Sequence, residues 1–222
     1  MTVKQFREKY GVFISTRLSG KMNGIPALTT SCLKNKYCMQ RAADTSTICS
    51  ACYSVTALTS GRRNEAAAAY ERNTDILTRE IIPVDEWPVI NAQYFRLESH
   101  GGLNNDIQFI NYINFAARNQ RTGCKFALWT KNPGIIERVF KDGYSKPKNM
   151  IIICSSPFLN NPVNKEKYLE QWPFIDKFFT VYTADYIQQN NVSINCGARD
   201  CLSCARCYNK RTGRGINEKL KK

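Results

Sequence analysis

Short apolar runs alternate along the chain with longer segments in which apolar residues recur at helical spacing. The apolar runs predict five strands, at residues 25–31, 93–98, 125–129, 150–154 and 178–182. The periodic segments between them predict helices at residues 64–80, 106–119, 134–141 and 165–171. This alternation is typical of βα units around a parallel sheet.

Parallel strands need crossover connections of this length, and those connections wind with a right hand. The element order therefore predicts an α/β fold, a partial (βα) TIM-like barrel with cysteine-rich metal-binding segments at both ends. A length of 222 residues suits one domain. We expect a βα core at about 25–190, cysteine segments at 32–52 and 196–207, and a disordered basic tail at 209–222.

Eight of the ten cysteines fall in two compact sets. The N-terminal set has the spacing C-x5-C-x10-C-x2-C and consists of Cys32, Cys38, Cys49 and Cys52. The C-terminal set has the spacing C-x4-C-x2-C-x2-C and consists of Cys196, Cys201, Cys204 and Cys207. Thiolates select zinc or iron–sulfur clusters over hard cations. All eight cysteines are therefore predicted metal ligands, while Cys124 and Cys154, beside apolar strands, are predicted core residues.

The two spacings differ in which metal they favour. Three thiols at x2 steps are typical of a segment that wraps an iron–sulfur cube, whereas zinc more often joins two separated C-x2-C pairs. The C-terminal set thus favours a [4Fe-4S] cluster over zinc. The looser N-terminal set suits either metal, and a site that draws ligands from both sets stays open.

The chain is strongly basic, with a formal net charge of +14. Such a charge indicates an anionic partner such as nucleic acid, or a solubilising field. No apolar run approaches the roughly 20 residues of a membrane span, and the first residues lack the apolar core of a signal peptide. We therefore expect no membrane partner and a cytoplasmic location, where paired cysteines more often bind metals than form disulfides.

Each predicted strand ends in small, polar or ionisable residues, and βα folds build their sites at these carboxyl ends. The N-terminal set begins there, so we predict that Glu98, His100 and Lys131 face the same opening as catalytic residues. His100, the only histidine, suits a ligand, a proton donor or a hydrogen bond to cluster sulfide. Glu98 and Lys131 suit the orientation of a small charged ligand, or a salt bridge without function. The preference of turns for polar residues would by itself also explain these strand ends.

Arg96 is a separate prediction. Its place in the strand predicts a side chain inside the barrel, where it would be a charge partner of Glu98 or Asp185.

Several short motifs together resemble the gene product eighty-eight domain family of phages and mobile elements. They are Cys32-x5-Cys38, Cys49-Ser-Ala-Cys52-Tyr53 before an alanine-rich helix, Phe95-Arg96 with Gly101-Gly102, Leu128-Trp-Thr-Lys131, and the closing cysteine run. The resemblance implies a phage-type iron–sulfur protein in the host cytoplasm. The element order is also similar to that of radical S-adenosylmethionine enzymes, which place a four-iron cluster at the mouth of a partial barrel. The C-x3-C-x2-C triplet of those enzymes does not occur in this sequence, which argues against S-adenosylmethionine as a cofactor.

The leading hypothesis is therefore an iron–sulfur protein with one or two [4Fe-4S] clusters. It would act as a redox or electron-transfer module, or as an oxidoreductase-like enzyme, with a redox partner or a small-molecule ligand. The alternative is a zinc-stapled nucleic-acid-binding protein in which Tyr53, Trp129 and Tyr208 stack on bases. A third hypothesis makes the metals purely structural.

Overall fold

The computed structural model describes residues 1–16, 20–61 and 63–220. Across these ranges seven strands form one sheet. The strands are β1 (Ile14–Ser15), β2 (Ala27–Leu28), β3 (Tyr94–Leu97), β4 (Lys125–Thr130), β5 (Met150–Ser155), β6 (Lys177–Tyr182) and β7 (Gly215–Lys219). They lie in chain order, with β1 and β2 antiparallel and every later pair parallel. The α/β class is thus confirmed, and the sequential parallel order is compatible with a partial barrel.

Helices connect the strands as the periodicity predicts. They are α1 (Val3–Tyr10), α2 (Lys36–Ala43), α3 (Tyr53–Thr59), α4 (Asn64–Leu77), α5 (Asp106–Arg118), α6 (Pro133–Lys141), α7 (Lys165–Gln171), α8 (Ala184–Asn190) and α9 (Cys201–Cys204). The four predicted helices correspond to α4, α5, α6 and α7, with ends that shift by at most a few residues. None of the described helices combines the length and apolar character needed to cross a lipid bilayer.

The two faces of the sheet pack against different parts of the chain, because successive strand residues point to opposite sides. On the helix-side face, Phe95, Leu97, Phe126 and Leu128 are fully buried in the main core with residues of α5 and α6. On the second face, Tyr94, Ala127, Ile151, Ile153 and Ile216 pack against the segment that carries the C-terminal set. The segment that carries the C-terminal set therefore covers buried strand residues on the second face of the sheet.

The basic tail is more ordered than its composition suggests. Residues 209–222 were expected to be disordered, but Gly215–Lys219 forms β7 and pairs in parallel with β6. Ile216 is 1 % exposed on the second face, so burial of one apolar side chain accompanies the backbone ladder. The prediction of disorder is wrong for this strand, while Lys221 and Lys222 lie outside the described residues.

A buried lysine ties the segment before β7 to the sheet. Lys177 is 1 % exposed, and its Nζ donates to the Thr212 carbonyl at 3.0 Å, to Thr212 Oγ1 at 2.9 Å and to the Gly213 carbonyl at 3.2 Å. Lys177→Met would keep the apolar stem but leave these acceptors without a donor, at a cost of about 1–3 kcal/mol. We expect faster tryptic cleavage at Arg211 and Arg214 in this variant, followed by mass spectrometry. The exposed Lys167→Met variant should be cut like the wild type, and equal rates in all three proteins would contradict this anchoring role.

Candidate functional site

The N-terminal set is placed by short helical segments that follow β2. Cys32 opens a 3-10 turn (Cys32–Lys34) that begins four residues after the end of β2 at Leu28. Cys38 lies in the first turn of α2, where the Asn35 side chain accepts a hydrogen bond from the Cys38 N–H at 3.1 Å. Cys49 lies in a second 3-10 turn (Ile48–Ala51), and Cys52 stands at the N-cap of α3. Both α2 and α3 contact the turn that contains Cys32, and α2 also contacts the turn that contains Cys49.

The thiols of the N-terminal set are electrostatic neighbours. Burial raises the pKa of Cys32 to about 12, and the negative charge of Cys52 adds to this effect. Burial also raises the pKa of Cys38 to about 12, with further contributions from Cys32, Glu98 and Cys49. The structure therefore gathers this set beside Glu98.

Glu98 is buried and held by four donors. Its carboxylate accepts from the Thr30 N–H at 3.2 Å, from Thr30 Oγ1 at 2.8 Å, from Gln108 Nε2 at 2.7 Å and from the Tyr112 hydroxyl. Burial raises the pKa of Glu98 to about 7 and outweighs the hydrogen bonds from Tyr112 and Thr30, which lower it. Its backbone has a φ of 60°, a conformation that is costly outside glycine and that clusters at functional sites. The carboxylate faces α5, and the described structure contains no Glu98–Lys131 ion pair.

The two glycines after His100 allow the loop to close over this region. A Cβ atom on Gly101 would stand 2.5 Å from Glu98 Oε2 and 2.5 Å from the Thr30 carbonyl oxygen, so no side chain fits. A Cβ on Gly102 would stand 3.5 Å from Cys38 Sγ. Gly101 is therefore required for the close approach of the backbone to Glu98 and Thr30, whereas at Gly102 a side chain would meet Cys38 at an ordinary contact distance.

His100 lies between two tyrosine rings with one nitrogen unsatisfied. Its ring stacks on Tyr70 with centroids 5.5 Å apart and lies tilted against Tyr53 at 5.4 Å. Burial lowers the pKa of His100 to about 4, and the positive charges of Arg63 and Arg96 add to this effect. Its Nδ1 atom is buried without a hydrogen-bond partner among the described residues. Such an orphaned polar atom is rare in native structures and is the kind of group that a ligand satisfies.

Lys131 lies on the same side as the N-terminal set. Its ammonium opposes the larger effect of burial and lowers the pKa of both Cys38 and Cys154. Its backbone carbonyl accepts a hydrogen bond from the Tyr37 hydroxyl of α2 at 2.9 Å.

The two remaining cysteines, Cys124 and Cys154, are 0 % and 1 % exposed, so the prediction that they are core cysteines is confirmed.

The C-terminal set forms a separate group on the second face of the sheet. The Cys196 N–H donates to the Asn217 carbonyl of β7 at 3.0 Å, and the N-cap Asp200 accepts from the Ser203 N–H at 2.7 Å to fix the turn Cys201–Cys204. Burial raises the pKa of Cys207 to about 12, and repulsion from Cys196, Cys201 and Cys204 contributes to the rise. All four thiols are therefore close enough to influence one another.

Arg96 connects the two regions and was not linked to the C-terminal set from the sequence. Its guanidinium carbon stands 3.1 Å from the centroid of the Trp129 ring, and its Nε donates to the Glu98 carbonyl at 3.1 Å. Against the larger effect of burial, its charge lowers the pKa of Cys201 and Cys207. Side chains alternate between the two faces along β3, so Arg96 lies on the same face as Tyr94. This alternation was the sequence signal that could have placed Arg96 beside the C-terminal set.

The described residues contain no group of three or more Cys, His, Asp or Glu side chains that converge as ligands of one metal ion.

The role predicted for Tyr208, stacking on nucleic-acid bases, is wrong, because this ring is 2 % exposed and stacks on Tyr94 with centroids 4.6 Å apart. The ring packs in the hydrophobic cluster on the second face of the sheet. The sequence pattern gave no indication of this burial. Tyr53 is 65 % exposed and donates its hydroxyl to the Ser99 carbonyl at 2.6 Å.

Comparison with models of protein families, with curated proteins and with solved structures gave no significant match. The resemblance to the gene product eighty-eight domain family therefore stays a prediction, and the function has to be argued from the arrangement of the residues.

Proposed function

We propose that this protein binds iron–sulfur clusters and that its C-terminal set holds a [4Fe-4S] cluster. The observation that carries the proposal is the gathering of four neighbouring thiols on the segment that packs against the second face, beside the partly buried Arg96. A four-iron cluster with four thiolate ligands is anionic, and a buried anion requires compensation. The Arg96 guanidinium supplies a positive charge next to Cys201 and Cys207.

The spacing of the thiols favours a cluster over a single zinc ion. Four ligands of one Zn²⁺ must each stand about 2.3 Å from the same point. The ligands of a cube bind four different irons, so they lie farther apart. The C-terminal thiols influence one another's pKa and so lie near one another, and their C-x4-C-x2-C-x2-C spacing is that of one segment wrapped around a cube rather than of two separated pairs.

The N-terminal set is proposed as the second metal centre, with Cys32, Cys38, Cys49 and Cys52 as its ligands. When bound, such a cluster supplies one-electron transfer, so the protein would act as a redox module or an oxidoreductase-like enzyme. Around this set, Glu98 has a pKa of about 7 and can exchange a proton near neutral pH. The neutral His100 offers a free ring nitrogen, and Lys131 offers a positive charge beside Cys38.

The test is a visible spectrum of protein purified without oxygen, combined with analysis of iron, sulfide and zinc. We expect a brown protein with broad visible absorption and about four or about eight irons per chain, for one or two clusters. Equal amounts of acid-labile sulfide should accompany the iron. A colourless protein with zinc and no sulfide would overturn the proposal and favour the zinc-stapled alternative.

A further inference from the structure

A cavity of about 400 Å³ lies at the amino ends of β4 and β5. Its walls come from the starts of these strands and from the segment that follows Cys207, and they include Lys125, Lys148, Asn149, Tyr208, Lys210 and Arg211. Glu98 and Lys131 follow the carboxyl ends of β3 and β4, at the other edge of the sheet. The cavity, which we call the basic pocket, is therefore separate from the surroundings of the N-terminal set.

The charge of the basic pocket is one-sided. Four cationic side chains line it, and the described lining residues include no aspartate or glutamate. Lys210 lies 3.6 Å from Asp176, whose carboxylate also pairs with Lys146 at 2.9 Å. Lys125, Lys148 and Arg211 are exposed and form no ion pair in the part of the chain that the structure describes. Three cations are thus free to bind an anion.

The segment that carries two of these cations is held in place by the fold. Tyr208 is buried against Tyr94, and the next residues are fixed where Asn209 Oδ1 accepts from the Arg211 N–H at 3.0 Å. Beyond them, the buried Lys177 binds the carbonyls of Thr212 and Gly213. These anchors fix the backbone that carries Lys210 and Arg211, so less of this segment has to be ordered when a ligand binds.

The chemistry of the lining points to phosphate. Phosphate groups carry more charge and more acceptor oxygens than a single carboxylate, so they match a pocket lined by three or four cations. The volume is also within the range of small-molecule and nucleotide sites, about 300–1,000 Å³. We propose that the basic pocket binds phosphate groups, supplied either by a nucleic-acid strand or by a small phosphate ester.

The proposal is tested with the protein as purified without oxygen, with its metal content measured in every variant. The pocket variant combines Lys125→Gln, Lys148→Gln and Arg211→Gln. The matched control removes the same charge from exposed sites elsewhere and combines Arg72→Gln, Arg79→Gln and Lys167→Gln. The two probes are a fluorescein-labelled oligothymidine, followed by anisotropy at several salt concentrations, and inorganic pyrophosphate, followed by calorimetry.

We expect the pocket variant to bind the probe at least about tenfold more weakly, while the control changes by less than about twofold. If the oligothymidine is the ligand, the salt slope should also fall by about 2, since single strands contribute roughly 0.7 per contact. Binding of oligothymidine identifies a strand as the source, whereas binding of pyrophosphate alone identifies a small ester. Equal weakening in both variants, or no binding of either probe to the wild type, would overturn the proposal.

Discussion

Cys201→Ser is expected to remove the iron and sulfide of the C-terminal centre completely. Cys201 lies among the other thiols of this set and near Arg96, so its loss would take away one of the four proposed ligands of the cluster. A serine hydroxyl is a far poorer ligand for iron than a thiolate. Iron and sulfide per chain, measured after purification without oxygen, should fall by about four each if that cluster is a [4Fe-4S] cluster.

Two further variants make this result specific. Cys32→Ser reports on the N-terminal set in the same way, so the two losses should add up to the wild-type content. Cys124→Ala is the control, because this cysteine is 0 % exposed in the main core and belongs to neither set. Full iron in Cys201→Ser would show that the C-terminal set holds no cluster, whatever the N-terminal set does.

Loss of the C-terminal cluster should also destabilise the sheet. The free energy of metal binding adds to the free energy of folding when the unfolded chain has no formed site. The segment of the C-terminal set covers Ile151, Ile153 and Ile216 on the second face. We therefore expect the melting temperature of Cys201→Ser to fall, and that of Cys124→Ala to fall only by the effect of a small core cavity.

The sequence predicts those parts of the fold that depend on local apolar periodicity. β4 and β5 were predicted almost to the residue, because largely buried strands of a parallel sheet are nearly continuous apolar runs. β2 is shorter than its predicted range of 25–31 and ends at Leu28. Beyond it, Ser31 leaves the ladder, and its N–H donates to Thr74 Oγ1 at 2.9 Å. Strand ends here are set by side-chain contacts from α4, which no local pattern encodes.

Other features depend on contacts between distant parts of the chain and were not predictable. β7 looks like a basic tail, and only its pairing with β6 and the burial of Ile216 make it a strand. The position of Glu98 was predicted, but its partners Gln108 and Tyr112 come from α5 and turn the carboxylate away from a salt bridge with Lys131. The cysteine spacing grouped the thiols correctly into two sets, but gave no sign that one of them covers a sheet face.

Glu98 and His100 are expected to give the protein two opposite pH dependences of stability. The pKa of Glu98 rises from about 4.5 to about 7 in the folded protein, so its contribution to stability is full below 4.5 and is lost as pH rises through 7. The pKa of His100 falls from 6.5 to about 4, so its contribution is present above 6.5 and is lost as pH falls through 4. The two pH ranges, about 4.5–7 for Glu98 and about 4–6.5 for His100, overlap. The opposite effects of the two groups on the free energy of unfolding therefore largely cancel in the wild type.

Single substitutions should therefore separate the two effects. In His100→Gln the contribution of Glu98 remains, and the free energy of unfolding should rise by an amount on the order of 3 kcal/mol as pH is lowered from about 7.5 to 4.5. In Glu98→Gln the contribution of His100 remains, and the free energy of unfolding should fall over the same range. Urea unfolding at each pH, followed by tryptophan fluorescence, gives the slopes, and comparison with the wild type removes the common effect of other groups.

A direct measurement is available because His100 is the only histidine in the chain. Its ring protons give a single set of resonances, whose titration should have a midpoint near 4 in the folded protein and near 6.5 in urea. A folded-state midpoint near 6.5, or parallel pH slopes in both variants, would contradict the buried positions of these two groups. If both results hold, His100 is neutral at pH 7 while Glu98 is half protonated. The proton that moves near the N-terminal set under physiological conditions then belongs to the carboxyl group.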